Sequence, residues 1–539
     1  MNIGIIEKTI NMMKKILFAV FALAVMPAAA QDTYESARLL GNDLNGTARY
    51  VGMGGAMDAL GADISTMGTN PAGIGLFRHS MASLSFGFVS QQDANKFDGL
   101  GKTNMSFDQI GFVYSARIDK SSFVNVGFNY HKSRNFDQIL SAANALRNCS
   151  QNGLTYYKAE QGIYDFGMNN QGEIIGGYVD NNGKIKERYW SYSEADYMNA
   201  NALMLDPDDG YLYCMDANAY SFDRAHRGWI GDYDFNVSGN VNDRFYWGVT
   251  VGIKDVNYKG YSEYAETLVD SEGICGAVAY GDERKIKGTG LDVKAGIIFR
   301  PVEESPFRIG LSVATPTWYD LTTSNDSYLL NESKYGSWDK GASHESYDFK
   351  FYTPWKFGLS MGHTIGNQVA LGLGYEYMDY SASKNRINDG GHYDDWYDDY
   401  YTHSYTDEVM KSNTDRSLTG QHTLKAGIEF KPVPELGIRF GYNYLSSPYE
   451  DRGYRDATLD SPGVSYSSTT DYVNWKDTHR ITCGLGVKAG GLNVDLAYQY
   501  SATDGDFHPF QPYVDLKSTG VTEVSNKRHQ VLLTLGYTF

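Results

Sequence analysis

Cysteine, proline and long apolar runs are all scarce in this chain. Its 539 residues include only four cysteines and 13 prolines. Cys149, Cys214, Cys275 and Cys483 form no CxxC pair, which argues against a zinc site. Cys149 and Cys214 share one long polar region, and in an oxidising compartment they are the candidate disulfide pair. Few prolines beside 58 glycines and 43 tyrosines fit extended, paired strands better than helices or disorder. Bases are outnumbered 47 to 65, for a net charge of -18, so no basic face is available for nucleic acid. The acidity reads as solvated loops. HExxH, P-loop and EF-hand patterns are all missing, and no metal or cofactor is expected.

The most apolar run is also too short to cross a membrane. Lys14-Lys15 precede Ile16–Met26, followed by Pro27, Ala28-Ala29-Ala30 and Gln31. A charged start, a short apolar core and a small-residue cleavage site make residues 1–30 a signal peptide, with 1–11 upstream of the expected true start. A membrane-spanning helix needs about 20 apolar residues. The mature chain is therefore exported and either soluble or a barrel.

Alternation decides between the two. In 436–444, Leu436, Ile438, Phe440, Tyr442 and Tyr444 share one face, and Gly437, Arg439, Gly441 and Asn443 share the other. The same pattern runs through 123–131, 245–254 and 492–500. It ends the chain as Val531, Leu533, Leu535, Tyr537 and Phe539. Apolar residues facing out and polar or small ones facing in, over about 10 residues, mark the strand of a membrane barrel. Tyrosine at strand ends suits an interfacial aromatic girdle. About fourteen such strands lie within 80–539, including single strands at 304–319 and 347–363. Their connections alternate short and long, as periplasmic turns and extracellular loops do. The longest, 137–226, is long enough to hold a small subdomain, and the acidic stretch 392–401 reads as a solvated loop. Gly358-Leu-Ser-Met-Gly362 matches the hydrolase elbow GxSxG, but it sits inside a strand pattern with no helix after it. No enzyme is expected.

Residues 31–79 lack alternation. They contain Gly52, Gly54 and Gly55, then Asn70, Pro71 and Ala72 just before the first strand. These glycines permit close packing, and Pro71 disfavours helix at Asn70. Such an irregular segment fits only a protein-lined lumen. The arrangement resembles the plug, or hatch, of FadL/TodX-type outer-membrane transporters of long-chain fatty acids and aromatic hydrocarbons. The terminal Phe539 strand likewise resembles the signal read by the barrel assembly machinery.

The resemblance implies an all-β, fourteen-strand antiparallel transmembrane barrel in the bacterial outer membrane, amid outer-membrane lipid and lipopolysaccharide. It implies uptake of hydrophobic small molecules by passive diffusion, gated by the plug. Exit would be sideways through a kink in the third strand, where Gly127 is the candidate weak point. The alternative on the same fold is a role in protein secretion or surface attachment.

Overall fold

The structure, a computed structural model, describes residues 31–179, 185–206, 208–335, 340–394 and 399–539. The expected signal segment 1–30 and residues 395–398 of the acidic stretch lie outside the described residues.

Fourteen antiparallel strands form one closed wall. In chain order they are β1 (Met81–Gln91), β2 (Thr103–Arg117), β3 (Phe123–Asn135), β4 (Asp216–Val241), β5 (Phe245–Asp270) and β6 (Gly273–Phe299). The next two are each in two pieces: β7 (Arg308–Ala314 and Trp318–Asn331) and β8 (Lys340–Tyr352 and Lys356–Ile365). The remainder are β9 (Val369–Asp379), β10 (Gly420–Val433), β11 (Leu436–Leu445), β12 (Tyr472–Ala489), β13 (Leu492–His508) and β14 (Thr522–Thr538). β1 pairs with β2 on one side and with β14 on the other, from Met81↔Thr538 to Gln91↔Arg528. That last pairing removes both sheet edges, which lipid would otherwise leave unsatisfied.

The period-2 pattern becomes an inside and an outside. Phe440 is 58% exposed, whereas its neighbour Arg439 is 5% exposed. Leu492, Leu496, Val531, Leu535 and Phe539 face out, while Asp495, Ala497 and Leu532 face in. An apolar outer surface on a closed barrel is that of a membrane-spanning protein. Short turns gather at one end, such as that at Asn242 and Asp243, both at positive φ.

At the other end the wall is much taller than a bilayer requires. β4, β5 and β6 run 26, 26 and 27 residues. At about 3.3 Å per residue, 26 residues extend roughly 85 Å, against a hydrocarbon core of about 30 Å. The alternation had marked only the lower part of each strand. Above the membrane the outward positions are Lys259, Glu263 and Lys285, which do not read as lipid-facing.

The region read as the loop 137–226 is largely ordered. It holds a strand, Gln138–Cys149, that pairs with β4, and helices Gln151–Glu160 and Glu194–Asn199. With the tops of β4–β7 and β12–β14 it buries an apolar core including Leu154, Met198, Leu268, Leu329, Phe507 and Phe510. This is an extracellular cap.

The expected Cys149–Cys214 bridge is not made, and all four thiols are free. Cys149 is buried in the cap core at the end of its strand, while Cys214 is exposed on the approach to β4.

Lipid-facing positions should tolerate charge least at mid-wall. Leu373, 57% exposed at the middle of β9, tests this. Leu373→Arg is expected to cost about 2–4 kcal/mol, the range for Arg at the midplane, in reversible folding into lipid bilayers.

Candidate functional site

Residues 31–79 fill the lumen as a series of short turns, each started by a side-chain cap. Asp32 accepts from the amides of Tyr34 and Glu35 and opens the helix α1 (Thr33–Leu40). Thr47 caps the turn Ala48–Gly52, Asp63 caps Ile64–Gly68, and Asn70 caps Pro71–Leu76. Local capping explains how so irregular a stretch keeps one path. The Thr47 hydroxyl also donates to the Asp63 carboxylate at 2.8 Å, tying the second turn to the third.

The structure places the six plug residues singled out from the sequence. Asn70 and Ala72 are fully buried. Asn70 is extended, and its side-chain oxygen accepts from the Ala72 amide at 3.1 Å. Gly54 and Gly55 have φ of 63° and 77°, a region that side chains rarely adopt. Gly52 lies against the backbone of Gly484 in β12.

A matching feature of the wall escaped the sequence reading. A Cβ added at Gly372 would overlap the carbonyl oxygen of Ala56, and one at Gly427 that of Met53. At Gly441 it would strike the Gly54 amide, at Gly248 the Pro71 carbonyl, and at Gly296 the Asn70 side chain. Glycines on five strands thus form a seat for the plug, four against its backbone and Gly296 against the Asn70 side chain. Each reads in sequence as one more small lumen residue, and only their shared partner gives the group a meaning.

Charge completes the seat. Arg49 of the plug lies 3.0 Å from Glu429 of β10, which is 2.8 Å from Arg439 of β11. Asp58 of the plug lies 3.2 Å from Lys425, itself 2.6 Å from Glu376. At the top of the lumen, Arg284 of β6 binds Glu35 of α1 at 2.5 Å and donates to Ser468. Arg455, on the loop between β11 and β12, binds Asp32 at 2.6 Å and donates to Ser467. Two arginines therefore hold the plug helix and an extracellular loop together.

Between plug and wall lies a cavity of about 130 Å³. Leu39, Leu40 and Tyr50 line it from the plug, and Thr315, Tyr319 and Pro354 from the wall. Its far side is charged, with Asp232, Lys254, Asp292 and Lys294 in contact with one another. The cavity reaches the wall where it is interrupted. The stretches 304–319 and 347–363, read as two continuous strands, are broken at Pro316 and Pro354, side by side at one height. Proline has no N–H for the ladder. Backbone and side chains together patch the break: the Thr353 amide donates to the Thr317 carbonyl at 3.1 Å and the Thr315 amide to the Val293 carbonyl at 2.9 Å, while the Thr317 amide donates to the Thr353 hydroxyl at 2.7 Å and the Val293 amide to the Thr315 hydroxyl at 3.0 Å.

Gly127 sits in continuous ladder, opposite Val113 and Asn236, with Met67 of the plug packed against it. The irregularity of β3 falls higher, between Lys132 and Arg134. Ser360 of the GxSxG stretch donates to the Gly310 carbonyl at 3.4 Å, within the wall beside Asn70.

No family model and no curated protein matches the chain. Solved structures do. A FadL homologue of Pseudomonas aeruginosa matches at 12% identity and a TM-score of 0.49, over 93% of this chain and 100% of that one. The toluene transporter TbuX of Ralstonia pickettii matches at 12% and 0.46, over 92% and 99%. The toluene transporter TodX of Pseudomonas putida matches at 10% and 0.45, over 93% and 100%. The chain is similar to FadL- and TodX-type channels.

Two outcomes follow from this geometry. Gly372→Val should leave the barrel assembled but unseat the plug, raising single-channel conductance in planar bilayers well above the wild type. The second outcome concerns the cap, where Glu194 is buried beside Asp282 and Glu345, and burial lifts its carboxyl to about 8. The folded cap keeps a proton that the unfolded chain releases above its ordinary value of 4.5. Cap stability should therefore fall as pH rises from about 4.5 to 8, by up to about 1.4 kcal/mol per unit, and level off above. Hydrogen exchange of Glu194–Asn199 should show this slope, and Glu194→Gln should flatten it.

Proposed function

We propose that this outer-membrane β-barrel is a passive channel for small hydrophobic compounds, with residues 31–79 as its gate. The observation that carries the reading is the junction of cavity and wall break. A cork filling the lumen excludes free aqueous diffusion. The cavity beside it is bounded by apolar and polar plug side chains, among them Leu39, Leu40, Asn42 and Asp43, on one side and by the wall interruption at Thr315, Thr317 and Pro354 on the other. A hydrophobic molecule entering past the cap would reach that cavity. It would then leave sideways into the bilayer rather than through the plugged lumen. In this chain the exit falls between β7 and β8 rather than at Gly127 of β3. The charged far side of the cavity favours molecules with a polar end, such as fatty acids, over purely apolar aromatics.

The tall wall and cap favour a second reading, in which the same barrel serves protein secretion or surface attachment. A strand of 26 residues exceeds what small-molecule passage requires.

Uptake of labelled long-chain fatty acid and of toluene, by cells with and without the protein, separates the two. The channel predicts protein-dependent uptake, altered by deleting 46–75 and by Pro71→Ala while heat-modifiability persists. A Thr317→Cys/Thr353→Cys staple across the break should abolish uptake until dithiothreitol restores it. A folded barrel that moves neither compound, yet co-purifies with a surface protein, would overturn the channel in favour of the second reading.

A further inference from the structure

Three strand pairs of the wall carry one arrangement on their outer face. Tyr375 and Tyr377 of β9 face out, as do Tyr442 and Tyr444 of β11 and Tyr498 and Tyr500 of β13. The residue opposite the upper tyrosine is a histidine each time: Tyr377↔His422, Tyr444↔His479 and Tyr500↔His529. The lower tyrosine stands opposite an apolar residue, Leu424, Ile481 or Val531. Its hydroxyl reaches diagonally to the histidine Nδ1, at 2.8, 2.7 and 2.8 Å. The upper tyrosine ring packs against the imidazole, with centroids 5.1, 5.3 and 5.1 Å apart.

All three modules sit at one height. The upper tyrosine is the eighth residue after Val369, Leu436 or Leu492, which open the three strands at the short-turn end. Eight residues are about 26 Å of strand. Along tilted strands that comes close to the far rim of an apolar band about 25 Å tall. Below the modules the exposed residues are Leu371, Leu373, Phe440 and Leu496. The modules therefore meet the headgroups of the outer leaflet. An interfacial girdle there needs only tyrosine. Across the barrel, eight residues from the end of β4, Tyr233 stands opposite Tyr130 of β3, ring to ring at 5.0 Å, and tyrosine takes the place that histidine has in the modules.

Histidine adds a donor. A phenol hydroxyl donating to Nδ1 leaves the imidazole proton on Nε2. Nε2 makes no hydrogen bond to the described residues in any of the three modules. Each module thus turns an N–H outward, and neighbouring modules, two strands apart, are spaced by about 10 Å. The carboxylate beside His479 is engaged, since Asp477 accepts from the Tyr444 hydroxyl and the Ser447 amide. Lys527, two residues from His529 on the same face, adds a cation. Sugar hydroxyls offer and take hydrogen bonds alike, whereas an anionic oxygen only accepts. We infer that the β9–β14 side of the barrel binds the phosphate groups of the outer-leaflet glycolipid, lipopolysaccharide, through Nε2–H of His422, His479 and His529. Hydrogen bonds to such anionic oxygens are the strong ones.

The test uses the purified, folded full chain, titrated with lipopolysaccharide and with the same lipid after removal of its phosphates, and counts retained lipid by native mass spectrometry. The phosphorylated lipid should bind roughly tenfold more tightly. The triple variant His422→Phe, His479→Phe, His529→Phe keeps the ring packing and loses the donors, so it should bind the two lipids alike. Heat-modifiability reports whether it folds. If it does not, the three single variants take its place, and each should lower the preference in part. Equal binding of the two lipids by the wild type, or an undiminished preference in the variants, would overturn the proposal.

Discussion

Every backbone N–H and C=O within the bilayer must find its partner in the chain, because hydrocarbon offers none. The closed ladder from β1 around to β14 is the answer to that constraint. It explains the strict alternation, the short turns at one end and the lack of a free edge. It also explains the place of the wall break. Pro316 and Pro354 each remove a donor, and they occur side by side where threonine hydroxyls stand in and a protein-lined cavity lies behind. An interruption facing lipid on one side and protein on the other is a weakness the barrel can carry.

The plug obeys the opposite rule. It makes few regular hydrogen bonds of its own, so it depends on caps, wall glycines and buried ion pairs. The glycine seat admits backbone to backbone at distances that any side chain would prevent. The ion pairs at Glu429 and Lys425 make the seat specific. Removing one partner from such a buried pair costs about 3–5 kcal/mol. A segment held this way does not drift from its seat, because each buried group it left would need another partner.

The extracellular end links these two parts. Arg284 and Arg455 each bind the plug helix on one side and the 466–471 loop segment on the other. The loop and α1 thus share the same two anchoring side chains. The cap core is built from an insertion and the tops of seven strands.

Much of this was legible in the sequence, for a physical reason. Lipid imposes a period-2 pattern on each strand, so residues such as Leu436–Tyr444 declared both strand and facing. Membrane strand number and turn placement followed from that pattern, and so did the irregular character of 31–79. The signal stopped where lipid stopped. In the upper halves of β4–β6 burial still alternates, but the outward positions are polar, so the apolar face that lipid imposes is missing there. Pro316 and Pro354 were visible as letters, but their alignment across two strands is a matter of register. Gly248, Gly296, Gly372, Gly427 and Gly441 lie far apart in the chain and became one seat only when the barrel closed around the plug. Local chemistry and the bilayer's demand determined the barrel from the sequence alone. The tertiary structure decided the seat, the cavity and the broken wall, because each depends on contacts between residues that the chain itself keeps distant.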